Sequence, residues 1–231
     1  MTTRQLIAGW ACLVFACAAL GAGKLSVTVQ ALSHKDMKPP KVDEYSGLPV
    51  DPKGAARVDY KKLGDIVVYA EAVGVPDASK PLDAALAAKL PEPGKSPPLV
   101  LGSVGGELSI KNATDKVQTF YSMADGNSFR LEALKPGETR KAPLAAAGDF
   151  DLLIESSDDP VAHIFVAPTA RARLATAGDT VEWKDVPPGE YRVTTWHPRL
   201  PGITRAVKLE DLKTAKLTVS VGVREADLPR Q

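Results

Sequence analysis

The 231-residue sequence predicts an all-β protein. After Leu99, short segments of alternating apolar and polar residues follow one another, and turns rich in glycine and proline separate them. Such a series of short strands with regularly spaced turn signals is typical of a β-sandwich. No alternation of strands with helices is visible, which argues against a doubly wound α/β fold.

The first 23 residues predict a secretory signal peptide. Arg4 precedes an apolar run from Leu6 to Leu20, and small residues follow that run. The run is shorter than the roughly 20 apolar residues of a stable membrane span, so we expect cleavage after Gly21 or Gly23. The mature protein would then be periplasmic or secreted. A retained anchor is the alternative, and it would be the protein's attachment to a membrane.

Both cysteines, Cys12 and Cys17, lie inside this leader. A mature chain without the leader has no thiol, so it can form neither a disulfide nor a thiolate metal site. Lipidation of Cys17 is an alternative, but Phe15 fits a bacterial lipobox poorly.

Charge argues against nucleic acid as a partner. The chain has 29 Lys and Arg against 28 Asp and Glu, for a net charge of +1. Both signs are interleaved along the whole length, whereas phosphate binding needs a clustered basic surface.

The mature chain is expected to contain a flexible arm and two β units. Residues 24–64 are assigned to the arm. "KLSVTVQAL" predicts a strand or a segment that leads into one, and a proline-rich charged stretch follows it. Residues 65–168 form the predicted first β unit and residues 169–231 the second, smaller one.

"PLDAALAAKL", residues 81–90, predicts a helix, because Pro81 suits a first turn, alanine dominates and Pro91 stops it.

Four stretches carry a family resemblance: "DIVVYAEA", "LSIKNATDKVQTFYS", "FRLEALKPGETRKAPLAAAGDFDLLIESSDDPVAHIFVAP" and "DVPPGEYRVTTWHPRL". Their order resembles exported bacterial cupredoxin-like proteins of the methylamine-utilisation-like group. In that group a carboxypeptidase-regulatory-like (transthyretin-like) β segment follows the cupredoxin. The resemblance covers roughly Asp65 to Val223. It implies a cupredoxin-like Greek-key β-sandwich over residues 65–168 and a transthyretin-like segment over residues 169–231.

The resemblance also implies a copper site, and this chain departs from it. The family places a histidine after its "N-x-D-x-V" strand and a Cys-x-x-His-Pro run at a second strand end. Gln118 occupies the first position, "ESSDDPVAH" stands near the second, and Met123 is the nearby methionine. Blue copper needs a cysteine thiolate and two imidazoles, so we expect no copper cofactor. A weak oxygen and nitrogen site of Gln118, Asp159 and His163 stays open as an alternative.

No catalytic motif is found in this sequence. There is no Gly-x-Ser-x-Gly elbow, no His-Glu-x-x-His and no phosphate loop. The protein is therefore not expected to be an enzyme.

The end of "VPPGEYRVTTWHPRL" holds the main candidates for binding. Alternation places Tyr191, Val193 and Thr195 on one face of a strand and Trp196 on the other. Trp196 either lies in the seam between the two β units or forms an open platform for a sugar or a protein. The residues assigned to such a platform are Trp183, Trp196, His197 and Arg199.

The sequence thus indicates an exported, non-catalytic binding or assembly module whose partner is an envelope protein or a glycan. Two alternatives stay open. One is a copper-binding electron-transfer protein with unusual ligands, and the other is a carbohydrate-binding module that acts through Trp183 and Trp196.

Overall fold

The computed structural model describes residues 21–32, 60–61, 63–74, 79–92 and 95–222. These residues form fifteen β-strands in four sheets and no helix, which confirms the all-β prediction. Nothing in this part of the chain forms a helix long and apolar enough to cross a membrane. Residues 1–20 of the predicted signal peptide lie outside the described residues, as do residues 33–59 of the predicted arm.

The strands are β1 Gly23–Ala31, β2 Ile66–Ala72, β3 Ala84–Ala88, β4 Leu99–Ser103, β5 Glu107–Asn112, β6 Gln118–Ser122, β7 Phe129–Leu134, β8 Thr139–Pro143, β9 Gly148–Ile154, β10 Ser157–Ala167, β11 Ala172–Ala175, β12 Thr180–Val186, β13 Gly189–Trp196, β14 Thr204–Leu209 and β15 Thr214–Val221.

The four sheets pair into two sandwiches, each with its own apolar core. In the first sandwich, the sheet β12-β1-β15 packs on the sheet β11-β2-β13-β14, and the core between them includes Leu25, Trp183 and Val193. In the second, the sheet β3-β5-β8 packs on the sheet β4-β10-β9-β6-β7, around Phe120 and Ile164. Buried and partly exposed residues alternate along many of these strands, as expected for sheets with one face on a core.

The N-terminal segment is part of the first sandwich rather than a flexible arm. β1 is the central strand of its sheet, antiparallel to β12 and parallel to β15. Leu25, Val27 and Val29 are fully buried in the core. The assignment of residues 24–64 to an arm therefore does not hold for β1. The pairing of β1 with strands more than 140 residues away is a tertiary contact, and local composition carries no signal for it.

The division at residue 65 also differs from the structure. β2 pairs with β11 and β13, so it belongs to the same sandwich as the C-terminal strands. Residues 65–168 therefore do not coincide with one sandwich: β3 to β10 make up the second, and the first contains strands from both ends of the chain. The predicted limit near residue 168 does fall between β10 and β11.

The helix predicted for residues 81–90 is wrong. Ala84–Ala88 forms β3, which runs parallel to β5 with Ala84 opposite Leu108 and Ala88 opposite Asn112. Ala84 and Ala88 are buried against the second core. Alanine's preference for helix is worth only a few tenths of a kcal/mol per residue, and tertiary pairing and burial outweigh it here.

Candidate functional site

Trp196 ends β13 on the face opposite to the first core, as its alternation predicts. Tyr191, Val193 and Thr195 are buried on the inner face of the strand. The outward face carries Trp196, which pairs across the ladder with Val67 of β2. The strand thus presents a large aromatic ring away from its own sandwich.

A third apolar cluster covers this ring and joins the two sandwiches. We call it the seam. From the first sandwich it contains Val67, Tyr69, Ala172 and Trp196, and from the second Leu99, Leu101, Phe165 and Ala167. The Trp196 ring centroid lies 4.5 Å from that of Phe165, and the Tyr69 centroid lies 6.0 Å from the same ring. These are ordinary distances for packed aromatic pairs, so the seam is a small hydrophobic core between sandwiches.

His163 of β10 lies at the margin of the seam, stacked on Trp196. The two ring centroids are 5.8 Å apart and the planes are inclined by 12°. Its Nδ1 lies 2.7 Å from Oδ1 of Asp151, and its Nε2 lies 3.4 Å from Oδ2 of Asp149. Asp151 is the ladder partner of His163 on β9, and Asp149 is the partner of Phe165. Both imidazole nitrogens therefore face carboxylates of the neighbouring strand.

Tyr69 contributes a polar group to the same region. Burial in the seam raises the pKa of its phenol, a side-chain hydrogen bond with Thr194 lowers the pKa, and the charge of Glu71 raises it. The result is a raised pKa, so Tyr69 stays neutral at physiological pH and serves as a packing and hydrogen-bonding residue.

His197 turns away from the seam into the bend that follows β13. Its side chain is only 6% exposed, and its Nδ1 accepts a hydrogen bond from the backbone N–H of Arg199 at 3.1 Å. Burial lowers the pKa of His197; the positive charge of Arg199 adds to this effect and Asp65 opposes it. A neutral ring with an accepting Nδ1 therefore holds the turn. Arg199 itself is exposed.

Trp183 does not share a surface with Trp196. It lies in the first core at 5% exposure, on β12 and opposite Leu25 of β1. Its Nε1 is buried and has no hydrogen-bond partner among the described residues. The predicted group of Trp183, Trp196, His197 and Arg199 therefore does not form one platform. Alternation in the sequence cannot show that Trp183 faces a second sheet.

The three weak metal candidates are likewise apart. Gln118 is buried on the inner face of β6 with Phe120, and its Oε1 accepts a hydrogen bond from the Ser156 hydroxyl. His163 lies on the outer face of the same sheet, since its neighbours Ala162 and Ile164 face the core. Asp159 lies at an exposed bulge of β10. No group of three or more His, Cys, Asp or Glu in the described part of the chain could hold a metal ion.

Sequence reasoning missed Phe165, Tyr69 and the role of the β9 aspartates. Alternation in the sequence places Asp149 and Asp151 on one face of β9, and the structure shows that both contact His163. A signal for Phe165 was present: "IFVA" is a continuous apolar run, which is typical of a strand buried on both faces.

Comparison with protein-family models, with curated proteins and with solved structures found no match for this chain.

Proposed function

We propose that this protein is an exported, non-catalytic binding or assembly module of the cell envelope, built on a cupredoxin-like scaffold without a copper site. One observation carries the proposal: the side chains best suited to chemistry near β13 serve to join the two sandwiches. Trp196 packs on Phe165, and His163 is held between Trp196 and two carboxylates.

The donor set argues against the copper alternative. Type 1 copper takes one thiolate and two imidazoles. Gln118 and His163 face opposite sides of their sheet, and the chain's two cysteines are Cys12 and Cys17 of the leader. These residues do not fit the metal. The carbohydrate alternative loses its second aromatic, because Trp183 is buried in the first core.

Expression of the full chain in a Gram-negative host tests the proposal. We expect the mature protein in the periplasmic fraction, with an N-terminus near Lys24. After incubation with Cu²⁺ and dialysis, we expect no intense absorption near ~600 nm, since no thiolate is present to give that transition. A cytoplasmic protein with an intact Met1, or a blue species at one copper per chain, would contradict the proposal.

A further inference from the structure

We propose that the free edge of β3 binds an extended, uncharged segment of a partner protein by strand addition. This inference rests on the proposed binding function and gives it a surface.

β3 is an edge strand whose outward backbone groups can be identified. Among the strands that the structure describes, it pairs only with β5, and the carbonyl of Ala88 accepts a hydrogen bond from the Ala113 N–H on the β5 side. Backbone groups of alternate residues point to opposite edges, so Ala84 and Leu86 also face β5. The N–H and C=O groups of Ala85 and Ala87 therefore face away, and neither has a backbone partner within the described ranges.

β3 lacks the features that protect the other edges from strand pairing. Natural edge strands are usually blunted by charged residues, proline or bulges. Of the edge strands that the structure describes, those with Lys, Arg, Asp or Glu are β7, β8, β11, β12, β14 and β15. β3 and β4 have none, and they lie next to each other. The β4 edge is partly used, because the Ser103 N–H donates to the Leu82 carbonyl.

A cavity of about 400 Å³ opens beside β3 on this side of the second sandwich. Apolar residues form much of its lining, among them Leu86, Leu90, Pro98 and Val161. Leu90 is 47% exposed, although it belongs to a large apolar type. The volume falls within the range of about 300 to 1,000 Å³ that is usual for ligand pockets. An added strand would place alternate side chains toward this cavity.

The charged residues around the cavity indicate what kind of segment could bind there. Its charged residues are Lys89, Lys95, Glu92 and Asp159, two of each sign, and Lys95 forms an ion pair with Glu92. The rim therefore favours neither an acidic nor a basic segment. An apolar strand without charge is complementary both to the cavity and to the unpaired backbone of β3.

Amide hydrogen exchange on the purified full chain tests the inference. The probe is a capped peptide of about six alternating valine and threonine residues, a usual strand length, with N-methyl groups along one edge to prevent self-association. The control peptide carries N-methyl groups on both edges, and these methyl groups keep its carbonyls from accepting hydrogen bonds from the Ala85 and Ala87 N–H groups. We expect fast exchange at Ala85 and Ala87 in the free protein, and at least about tenfold slower exchange with the probe but not with the control.

Substitutions at Ala85 provide the matched pair. Ala85→Pro removes an outward N–H without removing a bond to β5, and proline is tolerated in that position of an edge strand. Ala85→Ser keeps the N–H. We expect Ala85→Pro to lose the probe's protection of Ala87 and Ala85→Ser to keep it, while the Leu86 and Ala88 amides stay slow in both variants.

Each other outcome overturns the inference. Unchanged exchange at millimolar probe shows that the edge does not accept a strand. Protection of Ala85 and Ala87 that grows with protein concentration alone assigns the edge to a second copy, and protection in the dilute free protein assigns it to the chain's own residues. The measurement does not depend on localisation or copper, so it can fail while the proposed function stands, and the reverse also holds.

Discussion

At the scale of single residues, Trp196 has the role of a core side chain although it lies outside both sandwich cores. Its ring contacts Phe165 and His163 of the second sandwich and lies beside Val67 of the first. A ring of this size removes about 150 to 250 Å² from water when it is buried. Its contribution should therefore appear in stability rather than in ligand binding.

Replacement of Trp196 by alanine should lower the free energy of unfolding by about 3 kcal/mol. This is the lower end of the roughly 3 to 5 kcal/mol found for fully buried tryptophan, because Trp196 is partly exposed. Urea unfolding measures the loss, and Trp196→Phe serves as the control that keeps an aromatic ring. An unfolding midpoint close to wild type for Trp196→Ala would show that the ring is a free platform.

We expect His197 to make the free energy of unfolding depend on pH. Its pKa is lowered in the folded chain, mainly by burial, so below about pH 6.5 the unfolded chain takes up a proton that the folded chain resists. The contribution is fully present above that pH and is lost as the pH falls toward the folded pKa, at no more than about 1.4 kcal/mol per pH unit.

Urea unfolding at pH values from 7.5 to 5 measures this dependence. Both limits lie within the range of about 5 to 8 where proteins are usually most stable. The control is His197→Asn, whose side-chain oxygen can accept the Arg199 N–H but does not titrate in this range. We expect the wild type to lose more stability than the variant on acidification. Parallel curves for the two proteins would assign the acid sensitivity to other groups.

At the scale of secondary-structure elements, β1 shows what alternation predicts and what it leaves open. Leu25, Val27 and Val29 alternate with polar residues, and this pattern predicted a strand. The same pattern does not name the partners, and the proline-rich stretch after Leu32 suggested an arm. The prediction for β3 failed for the converse reason. "AALAA" has no β-branched residue, and only its pairing with β5 makes it a strand.

The candidate site was predictable to a similar extent. Position 196 could be placed on the outward face of its strand from sequence, as could the inward face of Tyr191 and Val193. The contacts of Trp196 with Phe165 and His163 could not, because they join strands of different sandwiches. The burial of Trp183 could not be predicted either, because it depends on the second sheet that packs on β12.

Replacement of Leu25 by alanine tests the place of β1 in the first core. Leu25 is fully buried opposite Trp183, so its truncation should cost about 2 to 5 kcal/mol. Ser26→Ala, one residue along on the opposite face, should change stability by less than about 0.5 kcal/mol. Chemical denaturation of both variants gives the comparison. Equal stability of Leu25→Ala and wild type would indicate that this segment is a flexible arm and not a core strand.

At the scale of the whole molecule, the seam holds the two β-sandwiches together. The chain contributes strands from both ends to the first sandwich, and β3 to β10 form the second between them. The seam's aromatic residues come from β2 and β13 on one side and β10 on the other. The same contacts explain why the strand end at Trp196 is so rich in large side chains.

A double-mutant cycle between Trp196 and Phe165 tests this claim most directly, because the two rings lie in different sandwiches with centroids 4.5 Å apart. The free energy of unfolding is measured for wild type, Trp196→Ala, Phe165→Ala and the double variant. We expect the double variant to lose about 0.5 to 1.5 kcal/mol less than the sum of the single losses, as packed aromatic pairs do. Losses that add to within about 0.3 kcal/mol would show that the two rings do not stabilise each other and would contradict the seam.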